Sequence, residues 1–459
     1  MHHARPFFLV AALALSFGCP ASTPPQPDEL DVELTRGNCD LKKAEEILGT
    51  SDGAHYHAVV PNSRRIPMVA TSFLVGIEKA PRRKLHVPKS KDRYLTLDGL
   101  SDSVRPFAKA LLANPKRTFV SHLVEYEVIQ STKRFTRVRS RFAYSAYDDT
   151  CRPPATPSEA PSSLYAKSWR AVGETLGARL DDVLRKARDA GTPFTHVILM
   201  STGWNTYQRT SIEKYNTWTT HLLDLAGDKP FHPLVIGFSW NSRWWLPGVS
   251  LVNKAKDADE LGWTWVRRTL ATVAGLKKKH GFRLALIGHS LGARLLARAT
   301  FSPSIVKNAT LAAGDVDLFV GLQGALPIQC FFGDKGHEHC DYRANLPIAR
   351  QTLLTSSRLD SAMGAAILAP ILMRAPTGGL EARDLVRNKG LPLWTVDRQG
   401  RVIKRSGTVE STVVHVDADR LITNEVRDHG GGAHNDVFKR TVAAFMLDAL
   451  LSGGPAGAP

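Results

Sequence analysis

Apolar positions along this chain recur with two different periods, and the change between them divides it. Tyr165, Trp169, Val172, Leu176, Leu180, Val183 and Leu184 recur at steps of three and four, which predicts one face of a helix. Unbroken apolar runs follow at residues 196–200, 233–238 and 284–287, as expected of strands buried on both faces. A helical stretch at about 257–279, with Leu261, Trp265, Val273 and Leu276 facing inward, separates the last two runs. A helix former at 293–299 comes next, then apolar runs at 309–313, 351–356 and 412–416. An amphipathic helix is expected at 434–451. Strands alternating with helices predict an α/β fold over 165–451, a mostly parallel sheet flanked by helices.

Upstream the pattern is mixed. Residues 39–160 read as an N-terminal β-containing region, with strand-like runs at 68–78, 119–130 and 135–145. The last two flank a four-residue polar segment and predict a hairpin. The Pro- and Ser-rich stretch 152–163 marks a boundary. Residues 452–459 form a Gly/Pro tail expected to be disordered.

The first residues carry an address. His2, His3 and Arg5 precede an apolar stretch at 7–17, as in a secretory signal peptide over 1–18. Cys19, directly after Gly18, resembles the bacterial lipoprotein box, in which that Cys is lipidated and becomes the mature N-terminus. Ser16 stands where that box prefers Leu. Residues 19–38, Pro-rich and polar at first, are expected to be a flexible linker. Five cysteines fit an exported chain: with Cys19 lipidated, Cys39–Cys151 and Cys330–Cys340 are the local disulfide pairs. A zinc reading of Cys330, His337, His339 and Cys340 matches no known spacing, and no metal is expected.

Composition narrows the picture further. With 459 residues, 43% hydrophobic and 22% charged, the chain can bury a large core and is not mainly disordered. A net charge of +17 suits contact with anionic surfaces. No zinc-finger spacing, RNA-binding motif or Walker loop accompanies it, so no nucleic acid is expected. Past the first twenty residues no apolar run is long enough to span a bilayer.

The candidate chemistry sits at the ends of the apolar runs. Gly288-His289-Ser290-Leu291-Gly292 follows one run and precedes a helix, the context of a nucleophile elbow. Such a turn exposes Ser290 Oγ above the sheet and points the Leu291 N–H at a developing oxyanion. A serine nucleophile needs a base and an orienting acid. Among later histidines, His429 and His434 flank a glycine-rich loop before the last helix, and His434 is preferred. His415 lies within a strand and is expected to point into packing. Asp360 follows the 351–356 run and is the preferred acid, with Asp315 and Asp317 as competitors. Gly203 in Ser201-Thr202-Gly203-Trp204-Asn205 permits close approach to a substrate, and the Trp204 N–H is the second oxyanion donor. Trp244 and Trp245, which Trp263 and Trp265 follow further on, are candidates for an acyl pocket or a lid, or for plain packing.

Residues 165–450 resemble the α/β-hydrolase superfamily, and most closely a branch of bacterial serine hydrolases of the DUF900 type. The resemblance rests on Thr202-Gly203-Trp204-Asn205, Ser239-Trp240-Asn241-Ser242, Gly288 to Gly292, Ala313-Gly314-Asp315, the segment from Ser357 to Met363, and His434. Thr202 replaces that branch's His, and Asn241 and Gly314 replace its prolines. The resemblance implies a triad of Ser290, Asp360 and His434 acting on an acyl ester, carboxylesterase- or lipase-like, without cofactor. The expected substrate is a small or lipid-like ester. The expected location is the bacterial cell envelope, with lipidated Cys19 as the membrane anchor, or secretion without lipidation. The alternative is a catalytically silent, hydrolase-like envelope lipoprotein with a binding role.

Overall fold

The computed structural model describes residues 29–34, 68–79, 94–102, 104–113, 118–131, 135–146, 161–204, 206, 208–240, 242, 247–332, 340, 342–360, 378, 380–407, 412–424 and 432–452. The signal peptide, Cys19, Cys39, Cys151, Trp244, Trp245, His337, His339, His429 and the tail beyond 452 lie outside the described residues.

The strands are β1 (Glu29–Leu34), β2 (Ser72–Lys79), β3 (Thr118–Ser131), β4 (Phe135–Ser145), β5 (His196–Ser201), β6 (Pro233–Trp240), β7 (Arg283–His289), β8 (Val316–Leu322), β9 (Ala349–Ser356), β10 (Leu393–Val396), β11 (Val402–Ser406) and β12 (Val413–Asp417). They form one sheet in the order β1-β4-β3-β2-β6-β5-β7-β8-β9-β12-β10-β11. From β2 through β10 every neighbouring pair is parallel. The hairpin β3–β4 and the terminal β11 supply the antiparallel pairs. The chain therefore has an α/β fold with a mostly parallel sheet.

The helices are α1 (Arg105–Ala113), α2 (Pro161–Arg170), α3 (Leu176–Asp189), α4 (Gln208–Ala226), α5 (Pro247–Leu261), α6 (Arg267–His280), α7 (Leu291–Phe301), α8 (Gln329–Phe332), α9 (Leu380–Asn388) and α10 (Arg440–Ser452). Single π-turns, Ala171–Thr175 and Gly262–Val266, join α2 to α3 and α5 to α6. Side chains of a strand alternate between faces, so each apolar run serves two cores. Val197 and Leu199 of β5 pack with Leu176, Leu180, Leu261, Leu270 and Leu295 of the helices on one face. Ile198 and Met200 pack with Ile212 and Trp218 of α4 and Met446 of α10 on the other. Every residue of β5 is buried, which is why its sequence reads as a continuous apolar run. Each fully buried Leu or Ile contributes about 1.5–3 kcal/mol over an exposed one.

Two expectations change. Residues 29–34, inside the expected flexible linker 19–38, form β1 and pair in parallel with β4. Their alternation of acidic and apolar residues is a strand pattern that the surrounding prolines obscure. The β-containing region at 39–160 joins the main sheet: β2 pairs with β6 in parallel, so β2, β3 and β4 extend it. The run at 309–313 is not a strand. Gly314, at φ 76°, turns the chain, and Asp315 caps that turn by accepting the Ala312 N–H at 2.7 Å. The strand begins only at Val316.

Candidate active site

The strand order reverses between β5 and β7. After β5 the chain moves outward to β6 and then returns to the other side of β5. Such a reversal opens a crevice beyond the carboxyl ends of the two strands, where α/β folds bind ligands. Gly203 follows β5 there and Ser290 follows β7.

Ser290 has φ 56° and ψ −124°, a conformation that costs a non-glycine residue about 1–3 kcal/mol. Its neighbours hold it there. The Ser290 N–H donates to Leu322 O at 3.1 Å, and Ser290 O accepts from Ala293 and Ala325 N–H, each at 3.1 Å. The glycines around it are steric requirements. A Cβ at Gly288 would lie 2.5 Å from Ala293 Cα, and one at Gly292 would overlap Ser201 O. A Cβ at Gly203 would lie 2.5 Å from Ser290 Cβ, so the loop after β5 crosses directly against the nucleophile candidate.

Asp360 and His434 are brought together. His434 Nδ1 lies 2.8 Å from Asp360 Oδ2, and the carboxyl is buried. A carboxylate only accepts, so Nδ1 carries the proton and Nε2 is left with its lone pair. Asp360 closes a turn after β9, its N–H bonded to Ser357 O at 3.2 Å. Ser357 Oγ ties that turn to Ile422 O at 3.1 Å. His434 sits in a 3-10 turn, Gly432–Phe438, not in the first turn of the last helix, which begins at Arg440. Trp218 Nε1 donates to Val437 O at 2.9 Å and its ring stacks on Phe438. Asp436 accepts the N–H groups of Thr423 and Asn424 and the Lys439 ammonium. His289, next to Ser290, donates from Nε2 to His434 O at 3.0 Å, and the two rings pack 4.5 Å apart. The turn bearing His434 is thereby fastened to the elbow strand.

The loop after β5 is fixed on both sides. The Thr202 N–H donates to Tyr215 Oη at 3.2 Å, and Tyr215 donates to Phe238 O at 2.7 Å. Burial pushes the Tyr215 phenol far up, so it stays a donor. Trp240 Nε1 donates to Thr202 O, and Ser242 Oγ bonds both the N–H and the carbonyl of Thr206. Thr202, where the resembled branch has His, joins Ser211 by a 3.0 Å hydroxyl contact. Trp204 is half-buried against the core, and Leu291 is buried at the start of α7.

The competing acids are elsewhere. Because β8 starts at Val316, Asp315 and Asp317 lie at its amino end, opposite Ser290. Asp317 accepts Leu284 N–H and pairs with Lys277. His415 is buried in β12, with Ser356 Oγ 2.7 Å from its Nε2. Trp263 and Trp265 are core residues whose indoles bond Pro303 O and Thr118 Oγ1. Cys330 and Cys340 form the expected disulfide. Among the described residues no three His, Cys, Asp or Glu side chains cluster to hold a metal. One site residue escaped the sequence. Gln323, just after β8, donates from Nε2 to Asp360 Oδ2 at 2.9 Å.

The buried histidines predict an acid-sensitive fold. Burial, helped by the Arg383 and Arg387 charges, holds the His415 pKa down at about 3. Burial, with the His434 and Lys214 charges, holds His289 well below its ordinary value. Both are neutral in the folded state and titrate near 6.5 once unfolded. The stability each lends is complete above pH 6.5; for His415 it is lost as pH falls toward 3, and His289 acts in the same direction. Between pH 7 and pH 4.5 the urea-unfolding free energy is expected to drop by about 2–3 kcal/mol on account of His415. A flat profile that His415→Asn leaves unchanged would overturn this.

No protein-family profile matches the chain, and no curated protein matches it. Among solved structures, it is similar to the catalytic core domain of acetyl xylan esterase from Trichoderma reesei. The identity is 14% and the TM-score 0.20, over 28% of this chain and 63% of that one. A likeness at that score carries no argument about chemistry, and the functional reading rests on the geometry above.

Proposed function

We propose that the chain is an exported serine hydrolase that cleaves an acyl ester through Ser290, His434 and Asp360. The observation that carries this reading is the hydrogen bond from His434 Nδ1 to the buried Asp360 carboxylate, at the strand ends where Ser290 is held at positive φ.

In this reading Ser290 Oγ attacks the acyl carbon and its proton passes to His434 Nε2. Asp360 stabilises the resulting imidazolium. The Trp204 and Leu291 N–H groups receive the oxyanion; the N-terminal end of α7 adds its dipole to that charge. Collapse expels the alcohol, which takes the proton from His434. Water, activated by the same imidazole, then splits the acyl-enzyme into carboxylic acid and free Ser290. The chemistry calls for no cofactor.

The favoured substrate is a small or lipid-like ester, with Trp244 and Trp245 lining the acyl side. The net charge of +17 and the Cys19 sequence support attachment to the bacterial envelope through a lipidated Cys19, facing an anionic surface.

Fluorophosphonate labelling of the purified chain, read by peptide mass spectrometry, tests the reading. The expected result is one labelled peptide containing Ser290, absent from Ser290→Ala. A folded wild type that takes no label, or a variant that still does, would overturn it.

A further inference from the structure

We propose that Gln323 is a positioning residue of this site: its side-chain amide, clamped by Thr355, fixes the Asp360 carboxylate so that Oδ2 receives the His434 ring. The inference rests on the hydrolase reading above.

Gln323 sits where its neighbours make it useful. It is the first residue after β8, between β7, which ends at the elbow, and β9, which leads to Asp360. It is fully buried and has φ 46°, a left-handed conformation unusual for a residue with a long side chain. Its backbone is hemmed in as well. A Cβ at Gly378 would lie 2.6 Å from the Gln323 carbonyl carbon.

The amide's orientation follows from its partners. The Gln323 N–H donates to Thr355 Oγ1 at 3.0 Å, which leaves the Thr355 proton free to donate onward. It donates to Gln323 Oε1 at 3.2 Å. With Oε1 so occupied, the NH2 end faces Asp360, the end a carboxylate requires. Gln323 Nε2 and His434 Nδ1 then converge on the same oxygen, Asp360 Oδ2, at 2.9 and 2.8 Å. A carboxylate oxygen that receives one donor instead of two is freer to rotate about the Cβ–Cγ bond. Two converging donors select one orientation, and each charge-assisted bond shares the negative charge. Beside this group the His289 ring of β7 packs 4.5 Å from that of His434, and its Nε2 bonds the His434 carbonyl, not Oδ2.

The test compares Gln323→Met, close in size but without a donor, with Gln323→Glu, which keeps the shape and adds a carboxyl. The readout is the second-order rate of fluorophosphonate inactivation from pH 5 to 9. For Gln323→Met the plateau rate is expected to fall about tenfold, and its acid limb to move up by about half to one pH unit, because a carboxylate that has lost the Gln323 donor holds the imidazolium proton more tightly. Gln323→Glu is expected to move the limb further in the same direction, and carries the test alone if Gln323→Met does not fold. Wild-type rate and limb in both variants, with only a lower melting temperature, would make Gln323 a packing residue and overturn the proposal. If the wild type itself is not inactivated, the hydrolase reading fails separately. The clamp is then judged by NMR of histidine-selectively 15N-labelled protein. A His434 Nδ1–H resonance that moves downfield in Gln323→Met upholds the clamp, and an unmoved one overturns it.

Discussion

Replacing His434 by alanine, or Asp360 by asparagine, is expected to lower ester hydrolysis about 10⁴-fold. Circular dichroism should be nearly unchanged for both. His434→Ala removes the imidazole but keeps the main-chain carbonyl to which His289 of the elbow strand is bonded. Asp360→Asn is the subtler change, because the residue keeps its shape. Gln323 Nε2 and His434 Nδ1 share one oxygen, so the asparagine oxygen can still accept both, and what the variant loses is the negative charge that stabilises the imidazolium. A loss smaller than tenfold in both variants, measured as kcat/KM on p-nitrophenyl butyrate, would show that neither group serves Ser290.

The second large effect concerns the helix behind the nucleophile. Asp259 of α5 accepts both forks of Arg294, at 3.0 and 2.6 Å, and Arg298 Nε at 3.0 Å. All three side chains are nearly out of solvent. Arg298 also lies over the rings of Phe107, Trp263 and Tyr342. Both arginines belong to α7, whose first residue follows Ser290. Asp259→Ala leaves two buried guanidinium groups without their anion, and is expected to cost about 3–5 kcal/mol in urea unfolding. The pH dependence is separable from that of the histidines. Burial raises the Asp259 pKa, but the two guanidiniums outweigh it and hold it at about 2. A depressed carboxylate contributes stability above its unfolded pKa near 4, lost as pH falls to about 2. This amounts to about 2 kcal/mol in wild type that the alanine variant lacks. An unfolding free energy within 1 kcal/mol of wild type would sink the argument.

The strands legible beforehand were those whose evidence is local. The runs ending at Ser201, Trp240 and His289 are buried on both faces, and such strands need no knowledge of their neighbours to be seen. Asp360 and His434 were paired in expectation because chain order and strand ends restrict where an acid and a base can stand, and the structure brings the two side chains to 2.8 Å. The β8 start was misread because alanines at 312 and 313 mimic the end of a strand, whereas Gly314 and Asp315 form the turn that precedes it. Gln323 was invisible for another reason. Its role depends on β7, β8 and β9 lying side by side and on one backbone angle of 46°, neither of which any window of sequence contains. The joining of β2 to β6 was hidden in the same way, since Ser72 finds its partner Val235 across most of the intervening chain.

That last pairing has a consequence for how the protein comes into being. A chain that emerges from its N-terminus delivers β2, β3 and β4 long before β6 arrives. The β3–β4 hairpin can close at once, and β2 can dock on β3, but the far side of β2 must wait with its peptide groups unsatisfied. Such an open, apolar border is the kind of surface on which nascent chains stick to one another. Parallel pairing at this sequence distance is also slow to form. Synthesis of this protein therefore leaves a vulnerable interval between the emergence of residue 79 and that of residue 240, a window in which a chaperone has something definite to cover.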